Sequence, residues 1–380
     1  MNLVSIEPTP NPNSMKINLD ESLEQGIKYT FTHQNKANSP DYVRKILAIP
    51  GIVSIFQVND FMSIQRHPNA DWEKILASVR TVLEGEATTS KKALEDHKAL
   101  NEHFGEVQVS LQSFRRIPML VKVSDGNEEK RLAIPPRFQE AVRQASQVSK
   151  NMLMERRWEA LGIRYGNLNQ VGDTVVEEID AAYDEKRLAM LVEDAHRYDP
   201  DKKEKKRLSE EELNEQIESD DWRNRFAALS QMGASPQKID LFIKMAKDPK
   251  MNIRRLCIVY LGLIKGEKVL QPLCEALRDE AVAVRRTAGD ALTDLGDAKA
   301  IGPMIETLKD SNKLVRWRAA RFLYEHGNKS ALPALKETAN DPEFEVRMQI
   351  RQAIERIESG GKAQGTVWQQ MTRKSDEKTE

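Results

Sequence analysis

The side chains able to carry chemistry are few in this chain and poorly spaced for it. Its two cysteines, Cys257 and Cys274, form no Cys-x-x-Cys motif, so no thiolate pair stands at metal-ligand spacing. Six histidines occur, His33, His67, His97, His103, His196 and His326. Glu193-x-x-His196 sets a carboxylate and an imidazole on one helical face, the pairing used in di-iron bundles, but such centres need a second pair and further Glu ligands. A solvated helix face is the plainer expectation. Cys257 stands in a column otherwise filled by Ala, Phe and Ile, and Cys274 follows the apolar Leu273, so both read as small core residues. Gly-x-Ser-x-Gly, Gly-x-Gly-x-x-Gly and the P-loop pattern are absent. The expectation is no catalytic residue, no metal site, and no enzyme.

Arginine is distributed differently. Arg223, Arg254, Arg285, Arg316 and Arg347 recur every 31 residues, as do Asp248, Asp279, Asp310 and Asp341. Apolar residues fall at −1 and +3 of each Arg, and Leu261, Leu292, Leu323 and Ile354 stand at +7 of the last four, which is helix spacing. A second helix per unit is marked by Leu273, Met304 and Leu335, with Pro272, Pro303 and Pro333 near its start. A helical hairpin of this size cannot bury its apolar face alone, so stacking of units must make the core. The Asp-x5-Arg pattern resembles the short HEAT-like repeats over residues 209 to 358, five units in register. That resemblance implies that the Arg helices line the concave face and that Asp and Arg form a ladder from unit to unit, a structural role. The first copy departs, with Ile217 where the Asp should stand.

On the inner helices, positions +1, +2 and +5 from the Arg fall away from the core stripe and should face the concavity. They include Arg255, Arg286, Trp317, Arg318, Arg321 and Met348, a basic ribbon with one Trp expected to be exposed. Trp and Arg are enriched at interface hot spots, so an acidic protein segment is the expected ligand.

The rest of the chain must supply other architectures. Its 380 residues allow two or three domains, and 58 Lys+Arg against 59 Asp+Glu leave a net charge of −1, which argues against a general nucleic-acid binder. With mean hydropathy −0.60, no apolar run of membrane length and no leader pattern, a cytoplasmic location without membrane contact is expected. A charged linker is read at 199–208, followed by a Ser209/Glu212 capping box, and a polar tail is read at 359–380. Near the N-terminus, Leu3 to Ile6, Met15 to Leu19, Ile27 to Phe31, Val53 to Val58 and Phe61 to Gln65 are β-prone, the last two joined at Asn59-Asp60. Helices follow Ser39-Pro40 and Asp71, which predicts a sheet covered by helices.

Glu7-Pro8-Thr9-Pro10-Asn11-Pro12-Asn13-Ser14-Met15-Lys16, Ile49-Pro50-Gly51-Ile52 and Asp60-Phe61-Met62-Ser63-Ile64 carry a resemblance to the N-terminal domain of the Nfu family of iron-sulfur cluster carriers. It spans residues 1–88 as a domain. Pro10, Asn11, Pro12, Asn13 and Ser14 read either as a structural turn or as a recognition loop. Nfu proteins hold their cluster on a separate Cys-x-x-Cys domain that has no counterpart here, so iron or a cluster would come only through a partner. Residues 104–198 read as a small α+β segment: strands at Val107 to Leu111, Met119 to Val123 and Arg131 to Ile134, a helix opened by Pro135-Pro136, then further helices to about His196.

The order of an Nfu-like domain, a middle α+β segment and an α-α HEAT-like solenoid, multidomain α+β followed by all-α, resembles the conserved virulence factor C family. That resemblance implies a non-enzymatic adaptor or scaffold supporting virulence factor (toxin) production. Its partners would be proteins on the repeats and iron-sulfur or iron-metabolism proteins on the N-terminal domain. The alternatives are a nucleic-acid-binding regulator using the basic ribbon, and an iron or iron-sulfur binding protein.

Overall fold

Alternating apolar residues in the first segment form β1 (Leu3–Pro8), β2 (Ser14–Leu19), β3 (Lys28–Thr32), β4 (Ile52–Val58) and β5 (Phe61–Arg66), an antiparallel five-stranded sheet in the order β1-β2-β5-β4-β3. The structure is a computed structural model, and it describes residues 2–84, 106–196 and 208–361 apart from positions 10, 12, 25, 26, 37, 38, 69, 127 and 150. The expected linker at 199–207, most of the tail, His97, His103, Pro10 and Pro12 lie outside the described residues. One face of the sheet carries Met15, Ile17, Ile55, Met62 and Ile64, and two helices, α1 (Asp41–Leu47) and α2 (Trp72–Glu84), close over it with Val43, Ile46, Trp72, Ile75 and Val79. Asn59 turns the β4–β5 hairpin at φ 49°, a left-handed angle that Asn tolerates better than most residues. Gly51 sits at φ 91°, and a Cβ there would lie 2.4 Å from the Ala70 Cβ, so both conformation and space require glycine.

The middle segment is a second antiparallel sheet, β6 (Glu106–Phe114), β7 (Ile117–Ser124), β8 (Glu129–Ala133) and β9 (Arg156–Tyr165), ordered β8-β7-β6-β9. Three helices, α3 (Pro136–Ser146), α4 (Leu168–Ala182) and α5 (Glu185–Ala195), bury Phe138, Val142, Val175 and Leu188 with Val109, Leu111 and Val121 of the sheet. Strand β9 corrects the expectation of helices throughout 147–196. As an end strand with little burial it lacks a clear apolar alternation, so its sequence carries little β signal. The β6–β7 turn places Arg115 and Arg116 at φ 45° and 72°, where Asn-Gly is the usual choice. Arg115 is held there by donating to Glu155 and to the Ala195 carbonyl.

Ten helices follow among the described residues: α6 (Glu210–Ile217), α7 (Trp222–Met232), α8 (Ile239–Met245), α9 (Met251–Ile264), α10 (Glu267–Ala276), α11 (Val282–Leu295), α12 (Ile301–Thr307), α13 (Lys313–His326), α14 (Leu332–Glu337) and α15 (Phe344–Ser359). The array opens with the expected capping box: Glu212 N donates to Ser209 Oγ at 3.1 Å, and Ser209 N donates to Glu212 Oε2 at 2.9 Å. The core stripe is buried as the period predicts, with Ile253, Cys257, Leu261, Ala288, Leu292, Ala319 and Leu323 fully enclosed. An α/β domain is thus followed by a HEAT-like all-α array.

The chain divides into two units, Met1–Phe104 with Gly296–Glu380, and Gly105–Leu295. The first combines the N-terminal sheet with α12–α15, and the second combines the middle sheet with α6–α11. Among the described residues no helix is long and apolar enough to cross a membrane.

Candidate protein-binding surface

The ladder arginines are built into the array. Arg254 grips Asp279 through two parallel bonds of 2.8 and 2.9 Å, and Arg316 grips Asp341 in the same way at 2.6 and 3.1 Å. Each also turns Nη1 back to the carbonyl of the Asp six residues earlier, Asp248 at 2.9 Å and Asp310 at 3.0 Å. Arg285 makes the same backbone contact to Asp279 O at 2.9 Å, and Arg347 to Asp341 O at 2.8 Å. The first repeat differs from the sequence register. Arg225, not Arg223, binds Asp248, at 2.7 and 3.0 Å, and donates to Ser219 O at 2.7 Å. The first interval is therefore 29 residues, 254 minus 225, and Ser219 rather than Ile217 fills the Asp position. Arg223 is left at the surface beside Asp221, 3.9 Å away. The Asp279 and Asp248 carboxylates hold the Arg254 and Arg225 guanidiniums above their ordinary pKa by direct hydrogen bonding.

The basic ribbon is largely buried within the chain. In the second unit, α4 lies against α7, and its Glu178 is shared by Arg255 at 2.9 Å and Arg164 at 3.0 Å. Burial, with the Arg255 charge adding to it, pulls the Arg164 guanidinium down to about 10. Next to this cluster, Glu177 receives Lys250 at 2.8 Å, and the Arg286 guanidinium stacks 4.4 Å from the Tyr165 ring centre. An acidic segment does meet the ribbon here, and it is supplied by the middle domain of this chain.

In the first unit the expected exposed indole is buried: Trp317 is 1% exposed, with Arg318 stacked 4.8 Å from its ring, and Arg321 is paired with Glu325 at 2.5 Å. Met348, with Phe344, packs against the core of the N-terminal domain. The same helix face sends Glu345 to Arg66 at 2.6 Å, a pair only 3% and 9% exposed, while Arg347 reaches Glu73 at 2.6 Å. The Pro-Asn motif is part of this contact. Thr9 Oγ1 donates to the Asn11 and Ser14 carbonyls, and Asn13 N donates to Asn11 Oδ1 at 2.7 Å, so the turn ties itself down. Asn13 O then accepts from Arg66 N at 2.9 Å, its Oδ1 receives Arg66 Nε at 3.4 Å, and Ser14 Oγ meets Ser63 Oγ at 2.8 Å. Arg66 is completed by Ala70 O at 2.7 Å and the Trp72 ring at 5.0 Å. The described part of the motif orients an arginine toward the last repeat.

Relatives match this chain over nearly its full length. A Staphylococcus saprophyticus protein named "Conserved virulence factor C" is 43% identical over 99% of this chain and 100% of its own, and the Bacillus subtilis protein YpgR is 43% identical over 98% of each. The chain belongs to the conserved virulence factor C family. Family models for "Scaffold protein Nfu/NifU N terminal" match residues 4–90, "Virulence factor" residues 112–192, and "HEAT repeats" residues 210–288 and 272–355. A crystal structure of the Staphylococcus aureus protein SAV1430 is 40% identical over 22% of this chain and 98% of its own, with a TM-score of 0.21.

The Nfu-like part of this virulence factor C relative invites a cluster, and the residues do not fit one. Cys257 is enclosed on α9 and Cys274 on α10, and burial drives the Cys257 thiol far above its ordinary pKa, opposite to what a thiolate ligand needs. Among the described residues no group of three or more His, Cys, Asp or Glu is placed to hold a metal ion. Reading the sequence alone missed Glu178, Tyr165 and Arg66, because each is an ordinary residue of another segment whose role depends on which repeat it meets.

Proposed function

We propose that the chain is a non-enzymatic scaffold whose HEAT-like helices serve chiefly as an internal frame. The observation that carries this reading is the use of the inner-helix ribbon by the chain's own domains: Arg255 is engaged by Glu178, and α15 is engaged by Arg66 and the N-terminal core. A frame of this kind presents the Nfu-like and middle domains to protein partners, and the relatives' name, conserved virulence factor C, suggests that this service supports virulence. An iron-sulfur or iron-metabolism protein is the partner class suggested for the Nfu-like domain, with any iron carried by that partner. Nucleic-acid binding by the ribbon draws no support from guanidiniums already paired and buried, since counterion release needs cationic groups open to phosphate.

Anaerobic affinity purification of the tagged full chain, with chemical cross-linking and mass spectrometry, tests the reading. The expected result is an enriched protein with cross-links to residues 1–196. A partner cross-linked to the inner helices, or no protein enriched above a control, rejects it.

A further inference from the structure

The end strand of the middle sheet has the features of a self-association edge. Strand β9 pairs with β6 on one side, and among the described residues no strand pairs with its other side. Residues 157 to 160 are exposed in its first half, Trp158 retains 42% of its surface, and Leu153 and Met154 in the turn just before it retain 71% and 79%. The segment is well formed: Arg156 to Ala160 pair in unbroken register with β6, and the register shift comes later, near Gly162. Lys122 stands 4.8 Å from the Trp158 ring centre, which fixes the indole on the sheet face.

Soluble proteins guard such an edge with charges that repel another copy in any register, with proline, or with a bulge. The charges here behave differently. If two β9 strands run antiparallel about a two-fold axis at Trp158, Arg157 of each copy lies opposite Glu159 of the other, and Trp158 lies opposite Trp158. Residues 157 and 159 share one face of the strand and 158 occupies the other, so both sets of opposed pairs are formed together. Closed two-fold symmetry requires a patch complementary to itself, and this register provides one.

We propose that two copies of this chain join by antiparallel pairing of β9 with β9, centred on Trp158, so that two four-stranded sheets become one. Opposed charges on the two strands give the contact its register, and salt weakens it.

Sedimentation equilibrium of the full chain, at low and high salt, tests this without any variant: a concentration-dependent dimer is expected, weaker in high salt. Arg157→Glu and Glu159→Arg each place like charges opposite one another and should weaken self-association by about ten- to a hundredfold. Mixed together, the two variants restore both opposed pairs and should form a heterodimer. A wild-type chain that stays monomeric leaves the edge to another occupant and overturns the proposal. Single variants that dimerise as tightly as the wild type, or a mixture that does not reassociate, overturn it equally.

Discussion

Arg223 and Arg225 show how far a residue's spacing alone can be trusted. The 31-residue column points to Arg223, yet the side chain that grips Asp248 is Arg225, which is also the fourth residue of its helix, as Arg254 is of α9. The period is legible because Asp and Arg repeat, while the shortening of the first interval depends on a loop length that no column records. Arg225→Ala should destabilise the chain by about 3–5 kcal/mol, because it leaves Asp248, only 4% exposed at its side chain, as an unpaired charge. Arg223→Ala should change stability by less than about 0.5 kcal/mol. Urea unfolding of the two variants checks the pair, and the reverse order would restore the uniform period. A second prediction concerns Tyr260, whose hydroxyl donates to Leu229 O at 3.2 Å and whose pKa burial raises from 10.0 to about 12. The folded state favours the protonated phenol, so this contribution is whole below pH 10 and is lost as pH rises through about 12. It amounts to about 2–3 kcal/mol. Urea midpoints measured across that interval should fall less steeply in Tyr260→Phe than in the wild type.

Between elements, the contacts follow from which helix face meets which domain. The core stripes of α9, α11 and α13 were readable because burial repeats with the helical period, and the strands of the first domain because apolar residues alternate. Strand β9 was not readable, since an end strand exposed on both sides has little reason to alternate. The inner-helix ribbon was legible as basic but not as occupied, because its counter-charges lie 77 residues away in sequence, as for Arg255 and Glu178. That pairing makes an asymmetric prediction. Glu178→Gln strips the shared carboxylate from two enclosed guanidiniums, Arg164 and Arg255, and should cost about 3–5 kcal/mol and loosen α4 from the repeat helices. Arg255→Met leaves Glu178 still paired with Arg164 and should cost less. Amide exchange of α4 measured in both variants decides, and equal effects would mean that Glu178 holds α4 by packing alone.

At the scale of the whole molecule, the unit that joins the N-terminal sheet to α12–α15 does not treat its repeats as an independent stack. In a simple solenoid, stability is a sum of repeat and neighbour terms, and weakening a domain outside the array leaves the repeats untouched. Here Phe344 and Met348 of α15 pack against the N-terminal core, and Arg66 and Glu345 pair inside the same unit, so that part of the array and the sheet are joined by apolar and ionic contacts. Ile64→Val, a change in the sheet that costs about 0.5–1.5 kcal/mol, should therefore lower amide protection in α15 as well as in β2 and β5. Helix α9, whose contacts belong to the other unit, should keep its protection. Hydrogen exchange followed by mass spectrometry resolves these helices as separate peptides. Loss in the sheet alone would make the array an independent folding unit, and equal loss in α9 and α15 would make the chain a single one. Loss in β2, β5 and α15 together, with α9 unchanged, is the outcome required if the cooperative boundary runs through the repeats near Gly296 and not between the repeats and the domains that precede them.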